Sequence, residues 1–379
     1  MDGVVMSKKE MKIFRHAMNV IEGRLSIVEF STIIDKSYRQ AQRIVKRVKE
    51  KSVLGAIHGN TGKVPINKTC PLLMKETIEL LENHYSEFNL THFNEIIKDK
   101  EGIEISYSSL YRQARKKNLI KQQKRRSSKC HKSRPRLPSE GMLIQFDGSE
   151  HKWFGNILCD LIAGIDDATG KIVNAEFFIG ETSLHSMTVI QNIIEEHGVP
   201  EAFYMDEASI FGKRERDWNS QIARAFETLG INLILASSPQ AKGRIERLFR
   251  TLQDRLIAEL NFVQITNIND ANKYLKEIFI PSFNKKFSHP PREAKSSFSE
   301  QKISNLDLIL CRKEQRKVTA GNTFSYKGNK YILKENRDYR FRTLNINTHQ
   351  DYSISYDIMG KKVAVEKFSE GQSNIEGAA

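Results

Sequence analysis

The spacing of apolar residues changes along the chain, and its first part is helical. From Lys8 to about Lys51, apolar side chains recur every three or four positions, which predicts three short amphipathic helices. Ser37 is placed to cap the third helix, which then directs basic and polar side chains outward. These side chains are Arg39, Gln40, Arg43, Lys46 and Arg47. The pattern is typical of a helix-turn-helix whose last helix enters the major groove of DNA, but an ordinary three-helix core fits it equally.

A second helical unit is predicted over about 64–120, after the turn-forming segment GNTGK. Its last helix again has a basic face, which includes Arg112 and Arg115. The following segment, 121–138, has almost no apolar residues and cannot bury enough surface to fold alone. It predicts a basic tether that is either disordered or laid along phosphates, with a merely solubilising linker as the alternative.

After Gly141 the pattern becomes one of strands alternating with helices. Three strands come first, and the second and third are joined by the turn DDATGK. A helix, a strand, a helix, a strand and a long helix from about Gly243 to Leu260 follow. Strands interleaved with helices predict an α/β domain, and three consecutive strands predict that its five-stranded sheet is mixed.

The predicted fold class is a multidomain protein with all-α, α/β and β parts. Short alternating runs near the C-terminus predict a small β-barrel or sheet, and the polar tail after it predicts disorder. The predicted parts are a helix-turn-helix domain, a second helical domain, a basic linker, an α/β domain, a small β-barrel and a tail, at 1–58, 64–120, 121–140, 141–300, 312–368 and 369–379.

The composition indicates the kind of partner and argues against membrane, secreted and disulfide-rich proteins. Sixty Lys+Arg against 46 Asp+Glu give a net charge of +14, so a polyanion is the expected partner, with DNA or RNA the commonest. No apolar run reaches the roughly 18 residues that span a membrane, and no secretory leader opens the chain, so a soluble cytoplasmic protein is expected. Isolated cysteines indicate reduced thiols without disulfides or structural zinc: Cys70, Cys130, Cys159 and Cys311.

Three acidic residues are placed where a sheet edge could bring them together. Asp147 and Asp206 follow apolar runs at the ends of the first and fourth predicted strands, where open α/β sheets bind their ligands. Glu246 lies in a basic run at the start of the long helix, which could direct it to the same edge. The alternative for Glu246 is an ordinary ion pair with Arg250, one helical turn further on. The spacings between the three acids are 59 and 40 residues.

Three carboxylates held together repel one another and need a positive counter-charge. Mg²⁺ is a hard cation that carboxylate oxygens bind, and it keeps part of its water shell for a phosphate. Two such ions about 4 Å apart can activate water or a 3′-hydroxyl and stabilise the leaving oxygen of a phosphodiester. The acids therefore predict two Mg²⁺ ions, with Mn²⁺ as a possible substitute. Asp166 and Asp167, in the turn DDATGK, are interpreted as turn formers.

The order and spacing of the acids resemble the DDE transposases and retroviral integrases, which share the ribonuclease H-like fold. In detail FDGSEHKWF, MDEASIF and SSPQAKGRIERLFRTLQDRLIAEL look like the insertion-sequence transposases of the ISNCY group. FNKKFSHPPREA looks like the segment that follows the core in many of these proteins. The resemblance covers most of the chain and implies that 141–300 is a ribonuclease H-like integrase catalytic core.

The resemblance also implies roles for particular residues. The implied metal ligands and catalytic residues are Asp147, Asp206 and Glu246. Lys242 and Arg244 become candidates for holding DNA near the active site. His151 and Trp153 match a motif of the family, although Trp153 could equally belong to the core.

The predicted function is a DNA transposase that binds the terminal inverted repeats of an insertion sequence. It would cleave the ends of the element with metal ions and join the freed 3′-hydroxyls to target DNA, acting as a homodimer or higher oligomer on double-stranded DNA, associated with the bacterial nucleoid. One alternative is a domesticated DNA-binding regulator without strand transfer, against which the presence of all three acids argues. Another is a ribonuclease H-like nuclease that hydrolyses without joining; two helix-turn-helix-like units suit defined ends better than general degradation.

Overall fold

The structure is a computed structural model that describes residues 6–61, 63–64, 68–120, 134–155, 157–206, 218–236, 243–335 and 337–368. The chain divides into two compact units, Met1–Met74 and Lys75–Ala379. The finer domain boundaries expected from the sequence stay predictions. Most of the predicted basic linker and the whole predicted tail lie outside the described residues, as do Cys130 and Lys242.

The first unit contains the three predicted helices. They are α1 Lys8–Ile21, α2 Ile27–Ile33 and α3 Tyr38–Lys51. As predicted, the Ser37 side chain caps α3 by accepting a hydrogen bond from the backbone N–H of Gln40. Ser7 and Ser26 cap α1 and α2 in the same way. One small core joins the helices: Ala17, Phe30, Ile34, Ala41, Val48 and Ala56. The three-helix arrangement agrees with the prediction, and DNA contact by α3 stays a proposal.

A second set of helices packs on the α/β domain. These helices are α4 Pro71–Asn83, α5 Leu90–Glu101 and α6 Tyr107–Lys116. Helix α5 contacts a long helix of the α/β domain, Gly243–Phe262, through polar pairs. His92 Nε2 lies 2.9 Å from Glu259 Oε1, and Arg255 donates to Glu95 at 2.5 Å. The second helical set is therefore fixed to the α/β domain by side chains of that long helix.

The α/β domain is built on a five-stranded sheet. Its strands are β1 Ile144–Phe154, β2 Ile157–Asp166, β3 Ile172–Phe178, β4 Ala202–Asp206 and β5 Asn232–Ala236. Their order in the sheet is β3-β2-β1-β4-β5. Strands β1, β2 and β3 are antiparallel, whereas β1 and β5 each run parallel to β4. The predicted mixed five-stranded sheet is confirmed.

Helices cover both faces of this sheet. One face is covered by α7 Ser183–His197 and α8 Trp218–Leu229, which pack on Ile144, Phe146 and Phe203. The opposite face is covered by four successive helical segments: α9 Gly243–Phe262, α10 Ile268–Tyr274, a π-helical turn Leu275–Phe279 and α11 Ile280–Phe287. Because side chains alternate along a strand, Gln145, Asp147 and Ser149 share the face of β1 that α9 covers.

The C-terminal part is rich in short strands. After α12 Leu306–Ile309, the strands are β6 Arg312–Lys317, β7 Thr323–Tyr326, β8 Asn329–Leu333, β9 Thr343–Thr348, β10 Ile354–Ile358, β11 Lys361–Lys362 and β12 Val365–Lys367. They form one sheet in the order β11-β10-β9-β6 and another in the order β12-β8-β7. Both sheets contribute to one apolar core. Among the described strands the hydrogen bonding does not close into a single barrel, so only the β-rich part of the prediction is confirmed.

Three of the four cysteines lie in the described ranges, and all three are free thiols: Cys70, Cys159 and Cys311. Burial raises the pKa of both Cys159 and Cys311 to about 11, so these two thiols are protonated and unreactive at neutral pH. Within the described ranges, no helix is both long and apolar enough to cross a membrane.

Candidate active site

The pairing of β1 with β4 relates the first two predicted acids. Gln145 is paired with Tyr204, and the neighbouring pair has the same offset of 59 residues. Asp147 and Asp206 are separated by the same 59 residues. The observed pairs are Ile144 with Phe203 and Gln145 with Tyr204; if the same register continued for two more residues, Asp147 and Asp206 would lie side by side at the end of β4. Only the backbone of Asp206 belongs to the described part of the chain.

Gln145 holds the start of α9 against β1. This side chain is fully buried, and its Oε1 accepts a hydrogen bond from the backbone N–H of Ile245 at 3.2 Å. Its Nε2 donates to Asp167 Oδ1 at 2.8 Å. Ile245 directly precedes Glu246, and Gln145 lies two residues before Asp147 on the same face of β1. The first turn of α9 is thus attached to the strand that carries Asp147.

A second contact shows how α9 is aligned along β1. Gln253 Nε2 donates to Ser149 Oγ at 3.3 Å. Ser149 lies two residues after Asp147 on the same face of the strand, and Gln253 lies seven residues after Glu246 on the same side of the helix. Helix α9 therefore runs along β1 with the Glu246 side next to the Asp147 face. Glu246 is exposed and Asp147 is half-buried, so this edge is open to solvent.

The side chains that the structure describes do not by themselves form a metal centre. Among them, no group of three His, Cys, Asp or Glu residues lies close enough to hold a metal ion. The Asp206 side chain and the segments 207–217 and 237–242, which follow β4 and precede α9, lie outside the described residues. The roles of Asp147, Asp206 and Glu246 as metal ligands therefore stay predictions.

Asp167 is the centre of a buried charge cluster that the sequence analysis missed. Its side chain is fully buried, and Oδ1 accepts hydrogen bonds from Arg134, from Arg244 at 2.5 Å and from Gln145. Its Oδ2 accepts a hydrogen bond from the backbone N–H of Leu137 at 3.0 Å. Burial lowers the pKa of the Arg244 guanidinium, and Asp167 opposes that effect. The cluster joins the segment before the sheet, the end of β2 and the start of α9.

The interpretation of Asp166 and Asp167 as turn formers is right for the first and incomplete for the second. Asp166 accepts hydrogen bonds from the backbone N–H of Thr169 at 2.7 Å and of Gly141 at 2.9 Å. Burial raises the pKa of its carboxyl group. Asp167 instead neutralises two arginines, a role that neighbouring residues in the sequence do not reveal.

The side chains predicted to contact DNA lie in different environments. Five of them are exposed: Arg39, Gln40, Arg43, Arg112 and Arg115. Arg47 is half-buried, and Lys242 lies outside the described residues. Arg244 is 14% exposed and donates to Asp167 and to the backbone carbonyl of Arg134. These bonds give Arg244 a structural role, and its contact with DNA stays a prediction.

The two residues of the SEHKWF motif also differ in position. Trp153 is fully buried, and its Nε1 donates to the backbone carbonyl of Ser149 at 3.0 Å. Its ring packs against Phe177 with ring centroids 5.7 Å apart. Trp153 is therefore part of the core beneath α9, which was the alternative reading of this residue. His151 is exposed.

These elements define an α/β domain that lies in the chain between helical and β-rich parts, and comparison with known proteins gives the family. No protein-family model matches the chain. The chain is 31% identical over 381 residues to a putative transposase, y4bF, of Sinorhizobium fredii (strain NBRC 101917 / NGR234), covering 98% of this chain and 79% of that protein. It is 31% identical over 344 residues to the transposase for insertion sequence IS1202 of Streptococcus pneumoniae, covering 80% and 73%. The chain belongs to the transposase family.

The solved structures that resemble the chain include the catalytic core domain of BIV integrase. That domain is 22% identical, covers 38% of this chain and 85% of its own, and has a TM-score of 0.30. The two relatives named above confirm the prediction that the chain is a transposase. They do not favour the alternatives, a DNA-binding regulator or a nuclease that hydrolyses without joining.

Proposed function

We propose that this transposase cleaves and joins DNA at a ribonuclease H-like core in which Asp147, Asp206 and Glu246 are the catalytic residues. The observation that carries the proposal is the common 59-residue offset of the β1–β4 pairing and of the two aspartates. Asp147 and Asp206 lie on the adjacent strands β1 and β4 with this common offset. The bond of Gln145 to the start of α9 supports a position for Glu246 near the same strands.

The donor groups fit a hard divalent cation. All three side chains are carboxylates, and Mg²⁺ prefers carboxylate and water oxygens. Asp147 is half-buried and Glu246 is exposed, so a cation can reach these two without the desolvation cost of a deep interior. We propose Mg²⁺ as the cofactor, with Mn²⁺ as a substitute since it accepts the same oxygen ligands, and two ions in the active site.

The protein's own part in the reaction is to hold and orient the reacting groups. Bound ions would activate the attacking hydroxyl and stabilise the leaving oxygen of the phosphodiester. Gln145 keeps the first turn of α9 against β1, which fixes Glu246 relative to Asp147. Arg247 and Arg250 are exposed on α9 close to Glu246 in the sequence, where their charges can neutralise phosphates of DNA beside the site.

Recognition of the DNA ends belongs to the two helical parts. Helix α3 exposes Arg39, Gln40 and Arg43 along one stretch, and α6 exposes Arg112 and Arg115. Basic helices of this kind contact phosphates and base edges in the major groove. The proposed DNA partners are the terminal inverted repeats of the element and a target duplex. Because two ends must be held together, we propose a homodimer or higher oligomer on DNA, associated with the nucleoid in the cytoplasm.

The proposal is tested with a labelled duplex that carries the ends of the element. The purified full chain is incubated with this duplex and Mg²⁺ or Mn²⁺, and the products are separated on a denaturing gel. We expect nicks at the element ends and longer products in which 3′ ends are joined to target DNA. Binding without metal-dependent nicking would contradict catalysis and leave a regulator. Nicking without joined products would leave a nuclease.

Gln145→Leu is expected to slow strand cleavage by about 10- to 100-fold because the start of α9 loses its attachment to β1. The substitution removes the acceptor of the Ile245 N–H and the donor to Asp167, so the free energy of unfolding should also fall by about 1–3 kcal/mol. Urea unfolding measures the second effect. A third measurement does not depend on cleavage. The rise in melting temperature on adding Mg²⁺ should be smaller for Gln145→Leu than for the wild type.

Asn284→Leu is the matched control for Gln145→Leu. Asn284, on α11, joins its helix to β3 by bonding both the N–H and the carbonyl of Ile172, at 2.8 and 2.9 Å. It is the same kind of amide bridge between a helix and a strand, but it holds α11 to the edge strand β3, whereas Gln145 holds α9 to β1, the strand that carries Asp147. We expect a similar loss of stability with nearly normal cleavage and Mg²⁺ response. Equal losses of cleavage in both variants would show that Gln145 acts through general stability alone.

A further inference from the structure

Two exposed apolar side chains in the C-terminal part have backbone conformations that disfavour them. Phe341 is 73% exposed with φ +64°, and Met359 is 81% exposed with φ +52°. Bulky L-residues rarely adopt the left-handed region, because their Cβ crowds the backbone. Exposure at this level means that burial in the core does not compensate for the strain. Strained residues of this kind concentrate at sites that bind or react.

The turns themselves favour different residues at these positions. The N–H of Arg342 donates to the carbonyl of Tyr339 at 3.0 Å, which closes a turn with Phe341 at its third position. A positive φ at that position defines a type II turn, in which Gly or Asn is preferred. Met359 and Gly360, with φ +78°, form the two-residue turn between β10 and β11, where Asn-Gly is preferred. Folding alone therefore does not explain Phe or Met at either position.

Both turns lie at the same end of the four-stranded sheet. Phe341 lies two residues before β9 begins at Thr343, which is paired with Lys317 at the end of β6. Met359 directly follows β10, which runs antiparallel to β9; the last pair between them is Asp357 with Asn345, two residues after Thr343. Neighbouring strands are about 5 Å apart, so the two turns are next to each other. Phe341 and Met359 are called the apolar tips, since each is an exposed apolar side chain in a turn at this end of the sheet.

Exposed cations surround the apolar tips. They are Lys317, Arg342, Lys361 and Lys362. Arg340 is also exposed, but it is bonded to Asp338, whose pKa this contact lowers to about 2. A surface with cations around apolar side chains is complementary to a DNA duplex, where phosphates lie outside and an apolar base stack lies between them. A buried protein interface would instead be poor in lysine at its centre.

We propose that the apolar tips are wedges that enter between adjacent base pairs of a DNA duplex and bend it. Apolar wedges in proteins that kink DNA are commonly Phe, Leu, Ile, Met or Pro, and they partly unstack one base step. The surrounding lysines and Arg342 hold the phosphates on either side of that step. The inference rests on the proposed function only in taking DNA as the partner. It assigns to the C-terminal part the deformation of DNA, not its cleavage.

The test replaces both tips with a residue that suits the turns better. Asn tolerates a positive φ, so Phe341→Asn combined with Met359→Asn should leave the melting temperature unchanged or raised. The probe is a short mixed-sequence duplex with dyes at its two ends and 2-aminopurine at an internal position. With the wild-type full chain we expect closer ends and brighter 2-aminopurine, which report bending and unstacking. The double variant should lose most of both signals while its affinity falls by no more than about tenfold.

Tyr352→Asn provides the matched control. Tyr352 is also an exposed aromatic residue with φ +63°, 60% exposed, but it lies in the turn at the opposite end of β9 and β10. Its hydroxyl lies 3.2 Å from His185 Nε2 of α7. This variant should bend and unstack the duplex as the wild type does. Normal bending by the double variant, or equal losses in Tyr352→Asn, would overturn the proposal.

Further outcomes distinguish the wedge from the proposed catalysis and from a contact between two copies of the chain. Asp147→Asn should still bend and unstack the duplex, because the apolar tips do not need the catalytic acids. If the wild type bends DNA but does not cleave it, the proposed function is contradicted and the wedge is supported. If it cleaves DNA but does not bend it, the wedge is contradicted and the proposed function is supported. A double variant whose sedimentation changes while its bending stays normal would make the apolar tips a contact between two copies of the chain, and the wedge would be wrong.

Discussion

Glu246→Gln is expected to lower the rate of metal-dependent strand cleavage by at least about a thousandfold, with DNA binding unchanged. Gln keeps the shape of Glu but removes the negative charge on which a divalent cation depends. Glu246 is exposed, so the substitution disturbs no packed core and should not change the folding of α9. The rate is measured on labelled element ends under single-turnover conditions, and binding is measured separately by a gel shift with Ca²⁺ in place of Mg²⁺.

Glu227→Gln is the control for this prediction. Glu227 is likewise an exposed glutamate on a helix of the α/β domain, α8, but it lies on the other side of the sheet. Its substitution should leave the cleavage rate within about threefold of the wild type. Asp147→Asn should behave like Glu246→Gln. A Glu246→Gln protein that cleaves within about tenfold of the wild-type rate would show that Glu246 is only a surface residue of the kind that pairs with Arg250.

The sequence predicts well those parts of the fold that depend on local patterns. The three N-terminal helices and the Ser37 cap follow from apolar spacing and one hydroxyl, both of which act within a few residues. The five strands of the sheet follow from runs of apolar residues, and three consecutive strands already indicate an antiparallel start. The long helix Gly243–Phe262 was predicted to begin at the observed residue. None of these features requires knowledge of distant contacts.

Features that depend on distant contacts were missed. Asp167 is paired with Arg134 and Arg244, which lie 33 and 77 residues away in the chain, so no local pattern reveals the cluster. A signal did exist at Gln145, because an amide within the apolar run LIQF must find partners when the strand is buried. The division of the C-terminal strands into two sheets was not predicted, for a related reason. Whether short strands close into one barrel or form two sheets is decided by pairing between strands, which alternation does not encode.

The buried cluster also connects the proposed site to the chain that precedes it. Arg134 lies within the predicted basic linker and is its first described residue, and both its side chain and its carbonyl take part in the cluster. The same carboxylate of Asp167 bonds Gln145, which holds the start of α9. Arg134 therefore lies next to the groups that position Glu246.

Asp167→Asn is expected to reduce the free energy of unfolding of the α/β domain by about 3 kcal/mol. The amide keeps the shape of the carboxylate but leaves Arg244, 14% exposed, without a counter-charge in a mostly buried position. Arg134 is 47% exposed and can turn to water, so it adds less to the loss. Urea unfolding followed by tryptophan fluorescence measures the effect, because the buried Trp153 reports on this core.

The comparison that isolates the buried charge uses two further variants. Asp338→Asn removes a carboxylate from an exposed pair with Arg340 and should leave the unfolding midpoint almost unchanged, because water replaces the lost contact. Asp167→Leu combined with Arg244→Leu should be more stable than Asp167→Leu alone, because the second change removes the cation that was left unpaired. If Asp167→Asn costs no more than Asp338→Asn, or if the second leucine restores nothing, the arginines do not depend on Asp167 for their burial. The first turn of α9 would then be held to β1 by Gln145 and not by the buried ion cluster.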